Sequence, residues 1–175
     1  MSENVRTHPP ADVVYEVTVG GQTPDELLES LARKGHRLED TAVEMIRLTR
    51  FTTLKEKMKL LIRRTTVREL ACNILNLEGD TFTVGRIVKA AVKRDVLCPP
   101  EVAPALLDYF SQQVAKDHCI VLTQFFENEY GRPSLFRCDG EGKPTGKAIL
   151  HMHGFALESV VLPQNTEIFY LSSSL

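Results

Sequence analysis

The spacing of hydrophobic residues changes along this chain, and the change restricts what the chain can fold into. Between residues 66 and 116, apolar residues recur every three or four positions, which is typical of helices that bury one face. From His118 onward, short β-branched and aromatic runs alternate with turn-forming residues, which is typical of antiparallel strands. A strand-like run over 13–19 and a helix-like run over 24–34 precede both regions. The sequence therefore predicts an α+β fold with an N-terminal strand and helix, a central bundle of amphipathic helices and C-terminal antiparallel β-strands.

The central helices have recognisable starting signals. Thr66 and Glu69 have the spacing of a capping box, in which each side chain accepts a hydrogen bond from the other residue's backbone amide. Pro104 fits a helix only within its first turn, because proline lacks the amide hydrogen that later turns require. The pattern predicts four helices in this region, over 55–62, 66–77, 83–94 and 101–116.

The domain organisation has one open alternative. A length of 175 residues suits a single domain or two small ones. We expect a disordered N-terminus over 1–12, followed by a single α+β domain over 13–175. A subdivision into a mainly helical part (13–116) and a mainly β part (117–175) depends on whether the first strand joins the later ones.

Neither the start of the sequence nor its cysteines indicate export. No apolar run approaches the ~20 residues that cross a bilayer, and the start of the chain is polar and contains Pro9 and Pro10. The four cysteines are widely spaced and form no C-x-x-C pair. These features predict a cytoplasmic protein that does not associate with membranes.

The charge is unevenly distributed, and the basic part is the main candidate for binding. Residues 55–94 carry 10 Lys/Arg against 4 Asp/Glu, a net charge of +6, between two acidic flanks. Such a segment favours an anionic partner, either nucleic acid or an acidic protein, unless the flanks neutralise it. The candidate partner-binding residues are Arg63, Arg64, Arg68, Arg86, Lys89, Lys93 and Arg94.

The order of elements adds a resemblance to a known architecture. Three helices followed by a hairpin turning at Gly131, over residues 66–138, resemble winged-helix domains in arrangement. The resemblance implies that the third helix enters the major groove of DNA while the hairpin contacts the backbone. Winged helices also dock onto proteins, and Lys116 is the one cation among the exposed positions of this third helix. Both kinds of partner therefore stay open.

A second motif suggests a metal site. The spacing Gly146-x4-His151-x-His153-x4-Glu158 resembles the first metal-binding motif of the cupin family, although Asn165 stands where that motif has a glycine. The resemblance implies that His151, His153 and Glu158 hold a divalent metal in a metal-dependent enzyme. The alternative is a hydrogen-bonded histidine pair on a sheet edge.

Other catalytic signatures are absent from the sequence. It contains no dinucleotide-binding glycine motif, P-loop, nucleophile elbow or H-E-x-x-H. Adjacent residues of a strand point to opposite faces, so His118 and Cys119 cannot form a catalytic pair. We therefore interpret the chain as a non-enzymatic binding or regulatory protein that requires no cofactor and has the metal-dependent enzyme as its alternative. Assembly into a homo-oligomer stays open.

Overall fold

The computed structural model describes most of the chain. The described residues are 14–48, 51, 54–110, 118–124, 126–127, 133–140, 148–154 and 159–172. The predicted disordered N-terminus over 1–12 lies outside them.

Helices and strands alternate in the first two thirds of the chain, and strands follow. The first half begins with β1 (Val14–Val19), α1 (Pro24–Arg33), β2 (Arg37–Leu38), α2 (Asp40–Arg47) and β3 (Met58–Thr66). The next elements are α3 (Val67–Glu69) with a π-helical turn (Leu70–Ile74), β4 (Phe82–Thr83), α4 (Val84–Arg94) and α5 (Val102–Phe110). The remaining strands are β5 (His118–Val121), β6 (Phe126–Glu127), β7 (Pro133–Gly140), β8 (Ala148–Gly154), β9 (Val161–Leu162) and β10 (Glu167–Leu171).

One mixed sheet connects the two ends of the chain. Its strand order is β1-β3-β10-β5-β7-β8-β2, with β6 paired to β7. The central strand β10 runs antiparallel to β3 and parallel to β5. Strands β4 and β9 form a separate antiparallel pair. The first strand and the C-terminal strands therefore belong to the same sheet.

The sheet is covered by helices on both faces. Consecutive residues of β10 alternate between two hydrophobic cores, because neighbouring side chains of a strand point to opposite faces. Phe169 packs in a core with residues of α1, α2 and α5, whereas Ile168 and Tyr170 pack with residues of α3, the π-helical turn and α4. The arrangement therefore has three layers, with the sheet between two layers of helices. Across the described ranges, no helix is long and apolar enough to span a bilayer.

Several predictions from the sequence are confirmed. The fold is α+β, it begins with a strand and then a helix, and strands follow the helices toward the C-terminus. The capping box of Thr66 and Glu69 is formed, with both reciprocal hydrogen bonds present. Pro104 lies in the first turn of α5, where its missing amide hydrogen breaks no helical bond.

The helix predicted over 55–62 is wrong. Strand β3 begins at Met58 and pairs with β1 on one side and with β10 on the other. Its residues Leu60, Ile62 and Arg64 turn toward the core shared with α5, at the period of two that a strand requires. The apolar run in this segment fits either period, and pairing with two distant strands decides in favour of β structure.

The helices do not share the core that a winged helix requires. Residues of α4 pack in one core, with Leu122 and Leu135 of the sheet region, and residues of α5 pack in the other. The sheet separates the two helices, so α4 and α5 are not members of one three-helix bundle. The order of elements alone could not distinguish the two arrangements, because both place the same helices in the same sequence.

Candidate binding groove on helix α4

The structure distributes the seven predicted partner-binding cations over three places. Arg63 and Arg64 lie on β3, and Arg68 lies on α3. The other four lie on α4 and are Arg86, Lys89, Lys93 and Arg94. The four residues of the α4 group line a common concave surface.

Arg64 is part of the interior. Its residue is 5% exposed, and its guanidinium forms an ion pair with Glu167 and lies 5.9 Å from the centroid of the Phe169 ring. Burial disfavours the charged guanidinium, but hydrogen bonds with Glu167 and Tyr15 outweigh that effect and raise the pKa of Arg64. Its charge is therefore paired inside the protein and does not face a partner.

Arg63 and Arg68 also engage nearby side chains. Arg63 is half-buried and its Nε donates to Ser172 Oγ at 3.2 Å. Arg68 is exposed, and its Nη1 donates to Gln164 Oε1 at 3.1 Å. Both contacts join β3 and α3 to the segment around β10, and neither arginine lines the surface formed by α4.

Helix α4 presents its cations on one side because the other side is buried. The Thr83 side chain accepts a hydrogen bond from the Arg86 amide and caps the first turn. The buried residues of the helix, Val84, Ile87, Val88 and Ala91, belong to the core on that face of the sheet. Charged residues at the remaining positions point away from the core, as the amphipathic pattern predicts.

A groove lies beside this charged side of α4. The helix contributes Arg86, Lys89, Ala90, Lys93 and Arg94, and the chain just after the π-helical turn contributes Leu75, Asn76 and Leu77. We refer to the surface lined by these eight residues as the α4 groove. Its volume is about 460 Å³, which is within the range of small-ligand sites.

Arg86 has a structural role at one end of the α4 groove. Its Nη1 donates to the Thr81 carbonyl at 2.9 Å, and its Nη2 donates to the Glu78 carbonyl at 3.1 Å. These bonds hold the loop between the π-helical turn and β4 against the helix. Replacement of Arg86 would therefore disturb the loop as well as the charge.

Lys89, Lys93 and Arg94 differ from Arg86, because their side chains make no such hydrogen bonds with the described residues. All three are exposed, and none of their side chains forms an ion pair or hydrogen bond with another residue in the described part of the chain. Lys89 and Lys93 lie four residues apart, on consecutive turns of the helix where such positions are neighbours, and Arg94 follows Lys93 directly. The three cations therefore form a continuous positive edge along the α4 groove.

The opposite side of the α4 groove has an unusual backbone. Leu75 donates its amide hydrogen to the Leu70 carbonyl, the five-residue spacing of a π-helix, and Asn76 then adopts a left-handed conformation with φ of 53°. Such features occur often at functional sites. Asn76 is exposed, and its amide groups make no hydrogen bond with the residues that the structure describes. The sequence did not predict this side, although an asparagine after an apolar run is a known signal for left-handed backbone.

Two of the three residues of the predicted metal site lie on β8. His151 and His153 occupy alternate positions of β8, in register with Arg137 and Leu135 of β7. The description of the two histidines covers the backbone alone, and Glu158 lies outside the described residues. Elsewhere in the described ranges, no group of three or more metal-binding side chains converges. The metal-dependent enzyme stays a prediction.

One polar cluster was not predicted from the sequence. His36 precedes β2 with a side chain that is 1% exposed, and its Nε2 lies 2.7 Å from Asp108 Oδ1 on α5. Lys34 donates to the other carboxylate oxygen at 2.5 Å. Burial works against the charged carboxylate, but the hydrogen bonds from Lys34 and His36 lower the pKa of Asp108 overall. The cluster fixes the start of β2 to α5.

The comparisons with known proteins found no relative of this chain. Protein-family models, curated protein sequences and solved structures were compared with the chain, and no match was found. The function of the protein is therefore inferred from the geometry of the α4 groove and from general chemistry.

Proposed function

We propose that this protein is a non-enzymatic binding protein that engages an anionic macromolecule, nucleic acid or an acidic protein segment, through the α4 groove. The observation that carries the proposal is the set of three exposed cations, Lys89, Lys93 and Arg94, without ion-pair partners among the described residues. Among other exposed cations, Lys59 and Lys34 form ion pairs with carboxylates, whereas Arg33, Lys55 and Lys57 lie away from this groove.

Electrostatics favours such a use of the surface. Attraction between exposed charges is weak in water, but several cations on one concave surface add their potentials and attract anions over a distance. Binding of this kind weakens as salt screens the charges. We place the activity in the cytoplasm, where the free buried thiols of Cys98, Cys119 and Cys138 would remain reduced.

The test is a charge reversal on the α4 groove. Lys89→Glu, Lys93→Glu and Arg94→Glu are combined in one variant, while Arg86 is kept because it holds the loop. Fluorescence anisotropy then measures the binding of labelled DNA, RNA and polyglutamate at about 50 and 200 mM salt. We expect the unmodified protein to bind at least one of these polyanions, more weakly at the higher salt, and the variant to bind at least ~10-fold less tightly.

A matched control separates the surface from the net charge. Arg33, Lys55 and Lys57 are also exposed and have no ion pair with a described residue, and they lie away from the α4 groove. Their combined reversal to glutamate changes the net charge by the same amount and should leave binding unchanged. Equal losses in both variants, or no binding of any polyanion at low salt, would contradict the proposal.

A further inference from the structure

We infer that the partner of the α4 groove is an extended peptide segment in which acidic and apolar residues alternate. The inference depends on the proposed function, since it names the kind of anion that the same surface binds. It follows from the two unlike sides of the α4 groove, from the spacing of the cations and from the unused amide groups of Asn76.

The two sides of the α4 groove differ in character. The helix side carries Lys89, Lys93 and Arg94, whereas the other side is lined by two leucines, of which Leu77 is half-buried and Leu75 is buried. Neighbouring side chains of an extended peptide point in opposite directions. A peptide lying along the groove can therefore direct every second side chain toward the cations and the ones between toward the leucines.

The spacing of the cations suits this arrangement. Lys89 and Lys93 are four residues apart on a helix, which separates them by about 6 Å along the axis. Side chains two residues apart on an extended strand are separated by about 6.6 Å. Two acidic residues with one apolar residue between them can therefore form ion pairs with both lysines. From Arg86 to Arg94 the helix extends about 12 Å, the length of roughly four extended residues.

Asn76 supplies groups that suit a peptide backbone. Its backbone is left-handed, and no hydrogen bond joins its backbone amide or its side-chain amide to a residue that the structure describes. An extended peptide carries one donor and one acceptor per residue, which such amide groups can satisfy. A bare phosphate offers acceptors alone, so it would use fewer of these groups.

The α4 groove is less suited to nucleic acid. None of its eight lining residues is aromatic, although stacking on aromatic rings supplies much of the affinity for single strands. Acidic residues also stand at both ends: Glu78 and Asp80 belong to the loop that Arg86 holds, and Asp95 follows Arg94 directly. These carboxylates would repel a phosphate backbone that continues beyond the groove, whereas a short acidic peptide ends before them.

The experiment uses labelled synthetic peptides and the full chain. The test peptide carries a central Glu-Leu-Glu-Leu between neutral flanks. One control peptide has Glu-Ser-Glu-Ser, which keeps the charge and removes the apolar side chains. A second has Glu-Glu-Leu-Leu, which keeps the composition and removes the alternation. We expect the test peptide to bind at least ~10-fold more tightly than either control, since each loss removes about 1.4 kcal/mol or more.

Two protein variants and an oligonucleotide complete the experiment. Leu77→Ser should reduce the preference for the test peptide over Glu-Ser-Glu-Ser, because it removes one apolar contact, and circular dichroism checks that the fold is retained. Equal affinity for all three peptides, or tighter binding of DNA or RNA that the reversal of Lys89, Lys93 and Arg94 abolishes, would overturn the inference and leave the proposed function intact. Absence of binding to every anion would instead contradict the proposed function itself.

Discussion

Single residues show which polar groups hold this fold together and which are left on its surface. Asp108 and Glu167 each accept hydrogen bonds from a buried or half-buried partner on another element. Lys93 and Arg94, by contrast, have no such partner among the described residues. The sequence does not distinguish these cases, because the identity of an arginine does not show whether its side chain is buried in a core or exposed at the edge of a groove.

Replacement of Asp108 by alanine should destabilise the protein. The change leaves His36 Nε2 buried without its partner and removes the acceptor of Lys34. A buried polar group left unsatisfied costs about 1–3 kcal/mol. Urea unfolding at pH 7 measures the change. The matched control is Asp25→Ala, whose ion pair with Arg47 is 3.5 Å long and exposed on both sides, so that its loss should cost less than about 1 kcal/mol.

Asp108 also gives a prediction for how the free energy of unfolding depends on pH. Because the pKa of Asp108 is lowered in the folded protein, the contribution of this carboxylate is present above about pH 4 and is lost as the pH falls further. The difference in unfolding free energy between the wild type and Asp108→Ala should therefore shrink between about pH 5 and pH 2. A difference that stays constant over this range would show that the ionised carboxylate is not involved.

The buried ion pair of Arg64 and Glu167 gives a second prediction. Replacement of Glu167 by leucine leaves the guanidinium of Arg64 buried without its carboxylate. Removing one partner of a buried pair costs about 3–5 kcal/mol, whereas replacing both with apolar residues costs much less. In a double-mutant cycle with Arg64→Met, the double variant should be more stable than the Glu167→Leu single variant. Additive losses would show that the two charges do not interact.

Among the elements, α4 could be predicted from the sequence and β3 could not. The apolar spacing of α4 is a local signal, and it gave the position of the helix and its charged side correctly. The segment containing β3 has consecutive apolar residues that fit both periods, and its structure follows from pairing with strands far away in the sequence. The leucine side of the α4 groove also escaped prediction, because a π-helical turn arises from packing.

Strand β1 illustrates how an exposed edge of a sheet is protected. It forms one end of the sheet, and its neighbour helix α5 supplies Tyr109, whose hydroxyl donates to the Glu16 carbonyl at 2.5 Å. The Tyr109 ring also packs edge-to-face on Tyr15, with 5.3 Å between centroids. A free edge would otherwise offer its backbone groups to another chain.

Removal of this hydroxyl should therefore have two effects. Tyr109→Phe keeps the ring and frees the Glu16 carbonyl, which should cost about 0.5–1.5 kcal/mol of unfolding free energy. It should also increase self-association through β1. Urea unfolding and analytical ultracentrifugation at several protein concentrations measure the two effects. If the variant neither loses stability nor associates more, the hydroxyl does not protect this edge.

For the whole molecule, the reactivity of the thiols reports on the integrity of the core shared with α5. Cys98, Cys119 and Cys138 are buried in the core shared with α5, whereas Cys72 is exposed on the π-helical turn. Burial raises the pKa of Cys98 and of Cys119, so their reactive thiolate forms are suppressed at neutral pH. A single thiol should therefore react quickly in the folded protein.

An aromatic disulfide reagent checks this prediction by absorbance. At pH 8 we expect one thiol per chain to react quickly and three to react at least ~10³-fold more slowly, as expected if they react through unfolding. All four should react quickly in concentrated urea. Cys72→Ser should remove the fast reaction alone. Two or more fast thiols in the folded protein would mean that the core beneath α5 is open.

The position of β10 has a consequence for how the protein is made. Residues 167–171 lie between β3 and β5 and join the N-terminal strand pair to the strands that follow α5. During synthesis, the edges of β3 and β5 that pair with β10 therefore stay unpaired until residues 167–171 have emerged from the ribosome. Contacts between residues so distant in sequence also form slowly. We therefore expect the nascent chain to be most prone to aggregation just before β10 emerges.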